Sequence, residues 1–442
     1  MTWTVAYSLR GTSSAAASSI FSVDPQRFEH VFHLERKETG RKWLTLCVRS
    51  RSKGGSAPPI FLEGDEIAGR VDLQLEKAEV IKEITVKVQG GTTAVGQEEI
   101  SFLDITQSIW SPDPRIKNSD KLVGQHSWNF SLTLPREVVV SQESSSGSES
   151  RSKSKARNPE SSSPQSFVLP PNFSEKACSA YIDYKLIVTV RRGTFKANQI
   201  LSRYFAYIPK STPPPFSHLR QRAYRTNTVL VGPDGDPEGW KVIGPIPVRG
   251  TAFHIRQVEV RCTIAIGTPL SYPVKSPIPL ILRLTTRDSD DQVLDILSSP
   301  SAIKIFLVRS IATGADAVID DDDSAKRRSD NLVRERIAQA VFWSRSPLSG
   351  GEMGKRQVEG ELEIRQGLKP SFVFPRLSIR YSVDLLPFEA PGFVPIMPSQ
   401  GSSPELHSER ITITTQPAPG PKPRSYAPRG YERISAGTYN SR

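Results

Sequence analysis

Apolar and polar residues alternate along much of this chain. In "YIDYKLIVTVRRG", Ile182, Tyr184, Leu186, Val188 and Val190 alternate with Asp183, Lys185, Thr189 and Arg191, and only Ile187 breaks the polar side. Side chains on a strand point to opposite faces with period two, so the stretch predicts a strand with one buried face. "RLSIRYSVDLLPF" repeats the pattern with Leu377, Ile379, Tyr381, Val383 and Leu385. "HSWNFSLTLP" sets Trp128, Phe130, Leu132 and Leu134 on one face. Trp128 and Tyr184 are therefore expected to be buried. "GDEIAGRVDLQL", "EVIKEITVKVQG" and "KWLTLCV" add strands of the same kind. No long amphipathic helix is evident; "NLVRERIAQAVFWSR" reads as part helix, with a strand over 337–343.

The pattern is written twice. "SFVLP" begins at Ser166 and "SFVFP" at Ser371, each leading into a half-buried strand with a tyrosine on its apolar face. Upstream of the first copy come "GDEIAGRVDLQL" and "EVIKEITVKVQG"; upstream of the second come "SPIPLILRLTTRD" and "SAIKIFLVRS". Downstream, "LSRYFAYIP" matches "ERITITTQP" in position. The fold class expected is all-β, with two tandem immunoglobulin-like β-sandwich domains, disordered loops and tails. Residues 1–41 read as a disordered tail, with a mitochondrial transit peptide as the alternative. The first domain spans 42–209, with a disordered serine-rich loop at 141–165. A proline-rich linker covers 210–247. The second domain spans 248–417, with a flexible loop at 314–331, and 418–442 is a Pro/Arg/Tyr-rich tail.

A length of 442 residues accommodates two or three domains, and 36 prolines and 29 glycines suit many short strands joined by loops. Three cysteines, Cys47, Cys178 and Cys262, are too few and odd for a disulfide framework and favour a reducing compartment. No stretch reaches the roughly 20 apolar residues of a membrane-spanning helix.

The net charge of +12 is unevenly spread. Lys185 to Arg225 holds nine Lys/Arg and no acid. The stretch is either a solvated strand face with a loop or a surface facing anions. Zinc-finger spacing, an aromatic RNA-binding motif and a basic recognition helix are all missing, so nucleic acid is not expected as a partner. No enzyme motif survives inspection. "GGEMGKR" lacks phosphate-loop spacing and reads as a hairpin loop. "DSDDQ" at Asp288 lacks the glycine and distal glutamate of a calcium loop. His30 and His33 give no zinc spacing. No cofactor is expected.

The order of "PPIFLEGDEIAGRVDL", "IKEITVKVQG", "GQHSWNFSLTLP", "SFVLPPNF", "YIDYKLIVTV" and "GTPLSYPVKSPIPLILRL" resembles the arrestin-like family, specifically the fungal α-arrestins, over about residues 42–417. The resemblance implies two β-sandwiches of arrestin type. It implies a non-enzymatic cytoplasmic adaptor, peripherally recruited to plasma membrane or endosomes. Such an adaptor binds cytoplasmic tails of membrane transporters or receptors and promotes ubiquitin-linked endocytosis. A retromer-like trafficking scaffold is the alternative. The family commonly recruits a HECT-type ubiquitin ligase through Pro-Pro-x-Tyr. This chain has none; Pro423 with Tyr426 and Pro428 with Tyr431 keep only proline and tyrosine, and imply weak or indirect ligase contact. Lys185, Arg191, Arg192, Lys196 and Arg203 are the candidates for binding acidic cargo or anionic lipid.

Overall fold

The alternating stretches are strands in the computed structural model. It describes residues 27–428 except 37–38, 55–56, 95–98, 117, 141–163, 177, 194–195, 287–290, 319–331, 345–352 and 397–403. The described residues form 22 strands, two short α-helices and two single-turn 3₁₀ segments. None of the helices is long and apolar enough to cross a membrane. The chain divides into two compact units: Met1–Pro209 with Phe374–Arg376, and Lys210–Val373 with Leu377–Arg442.

In unit 1, β1 (Phe28–Glu35) pairs antiparallel with β2 (Lys42–Ser50). β1 lies inside the stretch read from sequence as a tail, so that reading is corrected from Phe28 onward. The 29-residue β4 (Glu66–Ala94) follows the three-residue β3 (Ile60–Leu62). The first part of β4 pairs with β2 and with β6 (Lys121–Thr133). Its second part pairs with β5 (Ile100–Trp110) and β9 (Ala180–Arg192). The last strand, β10 (Gln199–Ile208), runs antiparallel to β9 and parallel to β3. β7 (Glu137–Val140) pairs with β8 (Gln165–Val168), which carries the first Ser-Phe-Val.

Unit 2 opens with α1 (His218–Thr226), inside the stretch read as a linker. One sheet has the order β17-β18-β14-β12-β11-β21. Its strands are β11 (Trp240–Ala252), β12 (Arg256–Gly267), β14 (Pro277–Thr285), β17 (Val341–Trp343), β18 (Lys355–Glu363) and β21 (Phe393–Pro395). The second sheet runs β13-β22-β20-β15-β16, with β19 beside β20. Here the strands are β13 (Ser271–Pro273), β15 (Ile305–Gly314), β16 (Leu332–Gln339), β19 (Phe372–Phe374), β20 (Arg376–Leu385) and β22 (His407–Thr414). Helix α2 (Asp291–Leu297) separates β14 from β15. The helical part expected in "NLVRERIAQAVFWSR" is strand instead, because β16 ends its sheet and an edge strand need not alternate.

The pairing orders of the two units correspond. β1-β2-β4-β6 matches β11-β12-β14-β18, antiparallel throughout. β3-β10-β9-β4-β5 matches β13-β22-β20-β15-β16, and in both the first pair is parallel. The short strand of each parallel pair ends in a left-handed turn, at Gly64 (φ 81°) and Lys275 (φ 65°). Three residues on, a buried side chain closes it. Asp65 accepts from the Leu62 N–H at 2.8 Å, and the Ser276 hydroxyl donates to the Pro273 carbonyl at 2.7 Å. The repeated tyrosines also agree. Tyr184 donates its hydroxyl to the Pro170 carbonyl at 2.6 Å, and Tyr381 to the Lys369 carbonyl at 2.7 Å. Both are fully buried, as are Ile182, Val188 and Val190 on β9 and Leu377, Ile379 and Leu385 on β20. Trp128 shares the face of Phe130 and Leu132 but is only half-buried, lying against Trp110 and stacked on His126. The duplication is imperfect at β4, which serves alone where unit 2 uses two strands.

Candidate functional site

The five basic candidates read from sequence are distributed over one strand, one turn and the next strand, and acidic residues pair with four of them. Lys185 and Arg191 lie on the outer face of β9, because the alternate residues fill the core. The Lys185 ammonium sits 3.3 Å from both Glu99 carboxylate oxygens and 3.6 Å from Asp183. Burial opposes its charge, but Asp183 and Glu99 prevail and hold it above the usual lysine range. Arg191 pairs with Glu83 at 2.9 Å. Both side chains therefore have local counter-charges.

Arg192 and Lys196 belong to a different arrangement, centred on Glu79. Between the register pairs Leu75–Gly124 and Glu79–Leu122, β4 advances two residues more than β6. This bulge leaves Glu76, Lys77 and Ala78 exposed and turns Glu79 inward to 5% exposure. Arg36, just beyond β1, donates to one carboxylate oxygen at 2.9 Å, and the Arg192 Nε to the other at 3.0 Å. Lys196, in the β9–β10 turn rather than in a strand, lies 3.7 Å from the second oxygen. The Trp43 ring is flanked by both guanidinium groups, Arg36 at 5.6 Å and Arg192 at 5.9 Å from its centroid. Burial pushes the Glu79 carboxyl up, but the hydrogen bonds from Arg192 and Arg36 outweigh it and hold it below its ordinary range. Three cations thus face one carboxylate, and the cluster keeps a net positive charge. Arg203 is exposed on β10, its guanidinium 5.4 Å above the Phe32 ring, with no ion pair among the described residues. Sequence reading missed Arg36, Trp43 and Glu79. The only local signal was "EKAEV", where alternation lapses.

The tail residues lie on unit 2. Ser217 caps α1 by accepting the Arg220 N–H at 3.2 Å, and Asn227 ends it in the left-handed region at φ 55°. The helix buries Arg220, Ala223 and Tyr224. Arg220 donates to the Thr268 carbonyl at 2.7 Å and to the Gly239 carbonyl, with its guanidinium 4.8 Å over Trp240. Burial pulls the Arg220 guanidinium down. Tyr224 packs with Phe216 and Ala418, and Tyr426 stacks on Tyr224 at 6.3 Å and 22°. Glu361 on β18 is buried; it accepts the Ser425 hydroxyl at 2.6 Å and the Tyr426 N–H at 2.5 Å. Burial holds its carboxyl above the ordinary value against those bonds. The Tyr426 hydroxyl is buried with no hydrogen-bond partner among the described residues. A cleft of about 250 Å³ beside it is lined by Trp240, Ile281, Trp343, Glu361 and Pro428. The stretch read as a disordered Pro/Arg/Tyr-rich tail is therefore in ordered contact through Pro428. Tyr426 is half-buried there, as is Pro423, while Pro428 is exposed. Tyr431 and the loop expected at 141–165 (through residue 163) lie outside the described residues.

None of the three cysteines forms a disulfide. Among the described residues no three His, Cys, Asp or Glu side chains converge to hold a metal ion. No protein-family model matches the chain, and no curated protein matches it.

Proposed function

We propose that this chain is a non-enzymatic adaptor of arrestin type, with each unit a β-sandwich of immunoglobulin-like form. In this reading it binds cytoplasmic tails of membrane transporters or receptors and promotes their ubiquitin-linked endocytosis. The observation that carries the reading is the pairing order shared by the two units, parallel corner included, which matches the duplication expected of arrestin-like chains. Unit 1 supplies the cargo contact. Arg36, Arg192 and Lys196 outnumber Glu79, and Trp43 lies between two of them. An acidic or phosphorylated peptide would take the charge that Glu79 leaves uncompensated. Arg203 extends the same charge along β10. Lys185 and Arg191 are occupied by Glu99, Asp183 and Glu83 and contribute less. Ligase recruitment is weak or indirect, because Tyr426 is held against unit 2.

The test is binding of an acidic or phosphorylated peptide to the full chain and to K196Q/R203Q, which leaves the Arg36 and Arg192 bonds to Glu79 in place. Two charge-assisted contacts predict a loss of about 100-fold. Unchanged affinity in the folded variant sinks the cargo assignment. Stoichiometric co-purification with fixed partners would favour the trafficking-scaffold reading.

A further inference from the structure

We infer that Ser425 is a phosphorylation site, and that a phosphate there unlatches residues 421–428 from unit 2. The inference goes beyond the adaptor reading and does not depend on it. Ser425 is exposed, yet its hydroxyl donates to Glu361 Oε2 at 2.6 Å. Glu361 is 6% exposed, and no ion pair holds it among the described residues. Its partners are the Ser425 hydroxyl and the Tyr426 backbone N–H, while the Ala427 N–H turns back to the Ser425 hydroxyl oxygen at 3.3 Å. The latch is thus a carboxylate gripping two donors of one extended segment, with a third N–H held by the same serine.

Phosphorylation inverts this contact. A kinase forms the bond from Ser425 Oγ to the γ-phosphorus of a nucleoside triphosphate. The bond from that phosphorus to the bridging oxygen breaks, the diphosphate leaves, and the kinase's base takes the hydroxyl proton. The product has lost the O–H that Glu361 accepts. It places about −1.5 to −2 charges against a buried carboxylate. Like charges so placed repel strongly away from water. Exposed Lys422 and Arg424 precede the serine and suit a kinase that selects basic flanks. Release frees Tyr426, whose buried hydroxyl has no partner among the described residues, and opens the cleft beside Trp240 and Trp343.

The experiment treats the full chain with magnesium, ATP and a basic-directed serine kinase. Mass spectrometry reads the modified site, and hydrogen exchange reads the Tyr426 and Ala427 amides. Phosphate at Ser425 with about a 100-fold loss of protection is expected, as loss of charge-assisted hydrogen bonds implies. Phosphoserine inserted at 425 during translation should do the same without a kinase. Ser425→Ala removes the donor to Glu361 and the acceptor of the Ala427 N–H without adding charge, leaves the Tyr426 N–H bond in place, and should cost about 10-fold, short of the phosphate's effect. Glu361→Gln in the phosphorylated chain should restore protection, since the amide donates to the phosphate. A treated chain unmodified at Ser425, a phosphorylated chain with unchanged protection, or S425A opening the segment as fully as phosphate would each overturn the inference.

Discussion

Replacing Glu79 with glutamine tests the charge cluster of unit 1 with the least change of shape. The carboxylate accepts from Arg36 at 2.9 Å and from the Arg192 Nε at 3.0 Å, and Lys196 stands 3.7 Å away. Hydrogen bonds to charged groups contribute about 1.5–3 kcal/mol each, and removing one partner of a buried pair costs about 3–5 kcal/mol. Arg36 and Lys196 reach solvent, which screens part of this, and glutamine still accepts one bond. The expected loss at pH 7 is therefore about 2–3 kcal/mol. Hydrogen exchange of β9 amides under increasing urea reports the opening of unit 1 by itself. The pH dependence adds a second criterion. A carboxyl held below its ordinary 4.5 contributes stability that is complete above that value and is lost as pH falls through the folded pKa. The gap between parent and variant should stay level from about pH 8 to 6 and close below about 4.5. A gap under about 0.5 kcal/mol at pH 7, or one unchanged in acid, refutes the reasoning. The same substitution removes the only carboxylate of the cluster, so affinity for an acidic peptide should rise.

Tyr184→Phe and Tyr381→Phe each remove a hydroxyl bond, to the buried Pro170 carbonyl and to the half-buried Lys369 carbonyl, and should each cost about 1–3 kcal/mol in local-opening free energies from hydrogen exchange, Tyr184→Phe the more; no measurable cost at either would deny the tyrosines equivalent roles. Gly69→Ala places a methyl 2.2 Å from the Cys47 carbonyl and 2.8 Å from the Phe130 ring. It should destabilise unit 1 by about 1–3 kcal/mol, read as an earlier urea transition, and an unchanged midpoint would contradict the close packing of β2, β4 and β6.

Where an element answers only to its own alternation, it was legible. Ile182 to Val190 and Leu377 to Leu385 turn inward as their period requires, and the two tyrosines fall on the faces expected. β1 was not legible, since "FEHVFHLE" buries only His30 fully and offers no clean apolar face. His30 is buried because its ring bonds Ser50 and Ser52, 20 and 22 residues away. In β16, Arg334 pairs with Asp384 and Glu405, and its strand reads as a charged helix until those partners are in place.

The sequence by itself determined the alternating central strands, their inward faces and their order of recurrence in the two halves, because side-chain alternation is a local property of an extended backbone. Only the tertiary structure decided which charges are neutralised and which are left over. Arg36 meets Glu79 across 43 residues and Arg192 meets it across 113, and a bulge in β4 is what turns that glutamate toward them. The same holds for the tail. Nothing in "PRSYAP" announces that Tyr426 stacks on a helix 202 residues earlier, or that Glu361 waits for its backbone. A charge or a donor finds its partner in space, and a chain written in one dimension does not carry that distance.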